Sequence, residues 1–396
     1  MRAEIYPSSP GGCVEAPPSK SMAQRLLICA GLARGEGSVE PVDMSEDVAA
    51  ALDCVRALGA EVRLEGGRAV IRGTDPARAE GTVLRCRDSA AALRFFIPLC
   101  LLSGREMRLE GSAALMSRPL TVYEELCRER GLTFEKYDRG VRVKGRLDSG
   151  QYELDGAVSS QFISGLLFAL PLTRGKSIIR LRTPAVSRAY IDMTLSALRG
   201  SGVKAGWVSE TELETEGGQS YIPGEHTVEG DWSNAAFFLA LGASVTGLDE
   251  NSLQGDRICA EYFRALDEGR PELDLSGCPD LGPVMFAYAA MRNGGVFTGT
   301  RRLRIKESDR GAAMAEELRK FGAAMRVEEN RISVEGGISR PSQTLCGHGD
   351  HRVVMALSVL CAAVGGTIDG AEAVKKSFPD FFLCLEELGV RLTLRD

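Results

Sequence analysis

Apolar and polar positions recur along this chain in one arrangement. A helical segment with apolar residues three and four apart ends at a Gly; a short strand of alternating polarity, a tight turn and a second strand follow. The copies read LDCVRALGAEVRLEGGRAVIRG (52–73), YEELCRERGLTFEKYDRGVRVKG (123–145), LSALRGSGVKAGWVSETELETEGG (195–218) and MAEELRKFGAAMRVEENRISVEGG (314–337). A weaker copy, YFRALDEGRPELDLSG, covers 262–277, and a truncated one, CLEELGVRLTLRD, closes the chain. The Gly after each helix falls at Gly59, Gly131, Gly202, Gly269, Gly322 and Gly389, and each is predicted to be a helix C-cap with positive φ. Spacings of 53 to 72 residues exceed the period of a solenoid. The chain therefore reads as six α/β units, three per domain. Alternation in the predicted strands 61–68 and 325–331 implies sheets with one face to water and helices packed on the other. Three units end near Gly218, and a new start, HTVEGDWSNAAFFLALG, begins at His226.

Composition narrows the function. At 396 residues the chain has material for two or three domains, and 44% hydrophobic with 26% charged residues is ordinary for a folded globular protein. A net charge of -6 argues against a general nucleic-acid or membrane-surface binder. Eleven dispersed Cys without C-x-x-C pairs, beside only His226, His348 and His351, leave little from which to build a zinc site and suggest reduced thiols. The opening MRAEIYPSSPGG has no apolar signal-peptide core, and the longest apolar stretches, 162–172 and 353–364, fall short of the roughly 20 residues that span a bilayer. A soluble cytoplasmic protein is expected.

Four segments mix cations, hydroxyls and Gly where packing alone would not demand them. In PPSKSMAQRLLICAGLARG (17–35), Ser19 or Ser21 can cap a helix, with Lys20 and Arg25 at or just inside its start. Cations there oppose the helix dipole, which makes sense if an anion shares the site; a capped surface helix is the plain alternative. In RDSAAALRFF (87–96) and LMSRPL (115–120), Arg94 beside an apolar run needs a partner, either a carboxylate or a substrate phosphate, and Arg118 precedes a Pro. In GAVSSQFISGLLFALPL (156–172), Ser159, Ser160 and Gln161 exceed what capping requires and suit a phosphate or sugar hydroxyls. In RRLRIKESDRG (301–311), GHGDHRVVMAL (347–357) and VKKSFPDFF (374–382), Lys306, Arg310, Arg352 and Lys376 recur at turns or helix starts, with Glu307 and Asp309 among them. Solvated salt bridges are the usual reading of charge runs, but this recurrence suggests convergence on one anion. No Walker or Rossmann glycine pattern and no Ser/His/Asp arrangement is evident, which leaves acid/base chemistry by Lys, Asp and Glu among cations.

At these residues the sequence closely resembles the EPSP synthase family of enolpyruvyl transferases. PPSKSMAQR, VSSQF, VSRAYID, EGDWSNAAFF, NSLQGD, RIKESDR, GDHR and KSFPDFF stand in family order over nearly the whole chain. The resemblance implies an α/β (α+β) fold of two similar globular domains. Each would hold three βαβαββ-type units with helices inside and sheets facing solvent. The domains would comprise 1–18 with 229–396, and 19–228, around an interdomain active site. It implies condensation of shikimate 3-phosphate with phosphoenolpyruvate to 5-enolpyruvylshikimate 3-phosphate and phosphate, in a monomer without metal or organic cofactor. Lys20, Ser21, Arg25, Ser159, Ser160, Gln161, Ser187, Asp280 and Lys306 would hold shikimate 3-phosphate. Lys20, Ala90, Arg118, Gln161, Arg310, Arg352 and Lys376 would line the phosphoenolpyruvate site. Asp280 would be the proton acceptor and Glu307 the proton donor, with Lys20 beside them.

Two departures from the family pattern matter. Ala90 and Ala91 stand where the family usually has Gly-Thr or Gly-Ser, four and three residues before the Arg matching Arg94. A methyl at Ala90 narrows the pocket that also takes the herbicide glyphosate, so reduced glyphosate sensitivity is expected. Arg302 stands where some members have a substrate-binding Asn, and that role is not carried over. The sister enzymes acting on UDP-N-acetylglucosamine carry a Cys before the Arg-Pro; here the loop reads GSAALMSRP. A non-catalytic sugar-phosphate binder on the same fold would lack Asp280 or Glu307, and both are present.

Overall fold

The computed structural model describes residues 1–80 and 82–396. The chain forms two compact units, a middle unit, Pro18–Val228, and an end unit, Met1–Pro17 with Glu229–Asp396. Each is organised around three helices that are apolar on nearly every side and therefore buried. In the middle unit these are Lys20–Leu32, Ala90–Cys100 and Ser160–Ala169, called below the Lys20, Ala90 and Ser160 helices. In the end unit they are Trp232–Ala240, Gly282–Met291 and His351–Val364. Half-buried helices with an apolar stripe, such as Glu46–Ala57, Arg188–Gly200 and Arg310–Lys320, lie outside them.

Among the described residues, five four-stranded sheets share one strand pattern, a parallel pair extended by two antiparallel strands; these two form a hairpin in four of the sheets, and in the fifth they are Arg2–Ile5 and Leu392–Arg395. In one, Gln151–Leu154 runs parallel to Ser177–Leu181, which pairs antiparallel with Glu212–Thr215, and Ala205–Trp207 closes the edge. The connection between the parallel strands is a buried helix, as a parallel crossover requires. Val83–Arg87 and Gln151–Leu154 alternate strictly between buried and exposed positions, so their inner faces cover the helices.

The structure sharpens several expectations. The segment 61–68 is two strands, Glu61–Glu65 and Arg68–Arg72, turning at Gly66 and Gly67, both with positive φ as a tight hairpin turn demands. Glu61–Glu65 is an edge strand exposed over most of its length rather than alternating. Likewise 325–331 holds Met325–Val327 and only the first residue of Arg331–Val334. Five of the six helix-ending glycines have positive φ, between 64° and 109°. Gly269 does not; its φ of 170° is extended backbone. The reason lies in its unit, which contributes only the parallel pair Cys13–Glu15 and Ser244–Thr246, with no hairpin for a turned helix end to enter.

Candidate active site

Lys20, Ser21, Ala90, Ser159, Ser160 and Gln161 stand at the N-terminal ends of the middle unit's three buried helices. Ser19 caps the first, its Oγ accepting from the Met22 amide, which places Lys20 in the first turn. Lys20 Nζ pairs with Asp47 Oδ2 at 2.8 Å, while the Asp47 carbonyl accepts from Gln24 Nε2. Ser89 caps the second helix, which begins at the buried Ala90. Ser159 caps the third by accepting from the Gln161 amide, with Ser160 buried beside it. Side chains tie these ends together. Arg94 donates to Gln161 Oε1 at 2.7 Å and to the Pro119 carbonyl at 3.1 Å, with its guanidinium over the Phe162 ring. Its partners thus include an amide and a carbonyl oxygen, where sequence reasoning offered only a carboxylate or a phosphate. Arg118, next to Pro119, is half-buried.

Arg25 is 2% exposed and donates to Thr194 Oγ1, the Ser21 carbonyl and the Tyr190 carbonyl, at 2.9, 2.5 and 2.9 Å. It latches the Lys20 helix to Arg188–Gly200, and burial lowers its pKa to about 10. Ser187 precedes that outer helix in a left-handed conformation, φ 54°, unusual for a residue with a side chain.

The end unit builds a denser charge cluster. Arg310, 1% exposed, donates through NH1 to Asp280 Oδ1 at 2.7 Å, through NH2 to Glu307 Oε2 at 2.8 Å, and through Nε to Asp350 Oδ2 at 2.8 Å. Lys306 Nζ lies 3.1 Å from Asp280 Oδ1, and Lys376 Nζ lies 3.9 Å from Glu307 Oε1. Burial alone would raise the Asp280 pKa, but Lys306, Arg310 and Arg352 overcome it and hold that carboxyl well below its usual range. Burial lowers Lys306 to about 8, against the opposing pull of Asp280. Burial would also lower Arg310, and Asp350, Glu307 and Asp280 together raise it instead. Arg352 enters from the first turn of the His351 helix and donates to the Ser233 carbonyl and hydroxyl at 2.7 and 2.5 Å, and to Asn234 Oδ1 at 3.2 Å. The motif EGDWSNAAFF therefore includes the seat of an arginine.

One group with metal-ligand chemistry stands among the described residues: Glu316, Glu317 and His348. Both Glu317 oxygens already accept from Lys320 Nζ, at 2.8 and 2.9 Å, and the Cys346 amide and His348 complete the shell. The lysine ammonium takes the place a cation would need, so the arrangement reads as a buried ion pair.

Comparison with known proteins gives the family. The profile of the family described as EPSP synthase (3-phosphoshikimate 1-carboxyvinyltransferase) matches residues 7–385. This chain belongs to the EPSP synthase family. The 3-phosphoshikimate 1-carboxyvinyltransferase of Clostridium kluyveri is 36% identical, with 97% of this chain and 96% of that protein covered. Its counterpart from Clostridium perfringens is 34% identical, with 97% of each covered. A solved structure of EPSP synthase from Acinetobacter baumannii superposes with a TM-score of 0.81 over the whole of both chains at 23% identity, which shows a shared fold.

Sequence reasoning missed Asp47, Asp350 and Ser233, the partners of Lys20, Arg310 and Arg352. Asp350 also caps the His351–Val364 helix.

Proposed function

We propose that this EPSP synthase family member transfers the enolpyruvyl group of phosphoenolpyruvate to the 5-hydroxyl of shikimate 3-phosphate, releasing phosphate by addition and elimination. The observation that carries the reading is the pair Asp280 and Glu307 on opposite arms of one buried guanidinium, with Lys306 on the first acid and Lys376 near the second. In this reading Asp280, kept ionised by its cations, accepts the proton of the attacking hydroxyl. Glu307 donates a proton to the methylene carbon. Two acids in unequal surroundings suit the two opposite tasks.

Lys20, Ser21, Arg25, Ser159, Ser160, Gln161 and Ser187 bind shikimate 3-phosphate from the middle unit, and Asp280 and Lys306 from the end unit. Lys20, Ala90, Arg118 and Gln161 with Arg310, Arg352 and Lys376 bind phosphoenolpyruvate. Helix N-termini and arginines both favour such anions. The two helix-end clusters serve one reaction, in a cytoplasmic monomer that needs no metal or organic cofactor and has no nucleic-acid or membrane partner. No helix of the described residues is long and apolar enough to cross a membrane.

Glu307→Gln tests the chemistry. Binding of shikimate 3-phosphate should survive within a few-fold while turnover falls by about two to four decades; unchanged turnover removes Glu307 from the mechanism. Ala90→Gly tests the pocket. Its glyphosate inhibition constant should fall below that of the wild type, and equal constants contradict the narrowing by the Ala90 methyl.

A further inference from the structure

The geometry points to Asp350 as a positioning residue that orients Arg310 between the two acids, an inference that rests on the acid/base reading above. The guanidinium offers five N–H groups. Nε donates to Asp350 Oδ2 at 2.8 Å and NH2 to Asp350 Oδ1 at 3.2 Å, a two-pronged grip that fixes the plane of the group. With that edge held, NH1 points to Asp280 at 2.7 Å and the second NH2 hydrogen to Glu307 at 2.8 Å. Four of the five donors are thus engaged with three carboxylates.

The three acids differ in exposure. The side chains of Asp280 and Glu307 are 19% and 12% exposed, whereas that of Asp350 is at 0%. Asp350 therefore acts through Arg310 and not on a ligand. It is itself over-determined: Ser308 Oγ donates to Oδ2 at 3.0 Å and the Arg352 amide to Oδ1 at 2.9 Å. The second contact makes it the N-cap of the His351 helix, whose dipole favours a negative charge there. The same carboxylate thus sets the plane of Arg310 and the start of the helix that carries Arg352.

Charge explains why an acid is needed. The groups around this point are Arg310, Arg352, Lys306 and Lys376 as cations, Asp280, Glu307 and Asp350 as anions, and the His351 ring 3.8 Å from Asp350. Asp350 offsets Arg310. Remove its charge, and the guanidinium bears in full on Asp280 and Glu307, which then hold protons less well. A proton donor must be protonated, so the alkaline limb of turnover should move to lower pH.

The test compares wild type, Asp350→Asn and Asp350→Glu by pH profiles of kcat for phosphate release. The titration of the Glu307 carboxyl is followed in parallel by carbon-13 NMR, assigned with Glu307→Gln. In Asp350→Asn the alkaline limb and the Glu307 midpoint should both fall by about one pH unit or more. The kcat on that limb should drop about tenfold, and shikimate 3-phosphate affinity should stay within about threefold. Asp350→Glu should return the limb toward wild type. A limb and a Glu307 midpoint that stay in place in Asp350→Asn, whatever the loss of rate or melting temperature, overturn the inference. So does an Asp350→Glu profile identical to that of Asp350→Asn. A wild type that releases no phosphate, with a Glu307 midpoint that still falls, defeats the catalytic reading and leaves the positioning role standing. Should Asp350→Asn fail to fold, Asp350→Ser keeps a capping oxygen and is read the same way.

Discussion

Lys306 shows how a single side chain sets a pH dependence. Burial disfavours its charge and brings its pKa down to about 8, while Asp280 at 3.1 Å pulls the other way. The sign follows directly. Below that value the ammonium is present to meet the anionic substrate proposed for this site; above it the charge is progressively lost. A substrate that prefers the charged form must then drive proton uptake. The dissociation constant of shikimate 3-phosphate should rise above pH about 8, approaching tenfold per unit. Lys306→Met should bind weakly at neutral pH and show a much flatter profile. Calorimetric titrations at pH 7, 8 and 9 check this, and a flat wild-type profile contradicts it. At this scale legibility was uneven. Lys306, Arg310, Arg352 and Lys376 stood out because cations recur at turns or helix starts in several segments, which suggests convergence on one anion. Asp350, Asp47 and Ser233 did not, since Asp and Ser at such positions are satisfied by capping or solvent, and nothing local marks a long-range arginine or lysine partner.

Between elements, the contact that orders the middle unit is the crossing of the Ala90 and Ser160 helices. Gly165 lets them approach: a methyl there would collide with the Arg94 carbonyl and the Tyr123 hydroxyl. That hydroxyl lies 2.9 Å from both the Arg94 and Phe162 carbonyls and bridges the two helices. Gly165→Ala should therefore cost about 1–3 kcal/mol of stability, read from the denaturation midpoint. It should also move Arg94 away from Gln161 and raise the KM for substrate. An unaltered midpoint would show that the crossing is looser than described. Helix periods and five of the six C-cap glycines were legible because each is local chemistry. The missing hairpin after Gly269 was not, because the absence of a strand partner is a tertiary fact.

Across the whole molecule, each unit gathers three buried helices, and the chain crosses between units at Pro17–Pro18 and again at Val228–Glu229. The first and last segments of each unit meet in one sheet: Glu225–Thr227 beside Glu36–Glu40 in the middle unit, and Arg2–Ile5 between Gly366–Asp369 and Leu392–Arg395 in the end unit. Such closures join segments up to nearly the full chain length apart, which periodicity cannot reveal, whereas the sixfold repeat could be read directly. Both units carry singled-out residues at buried helix starts, and the account requires both to serve one transfer. The most direct test is release of inorganic phosphate by the purified chain, given phosphoenolpyruvate and shikimate 3-phosphate together in the presence of a chelator. Phosphate should appear only when both substrates are present, and the rate should collapse with Lys20→Met in one unit and equally with Asp280→Asn in the other. Release that needs only one substrate, that stops with the chelator, or that survives either substitution contradicts the account.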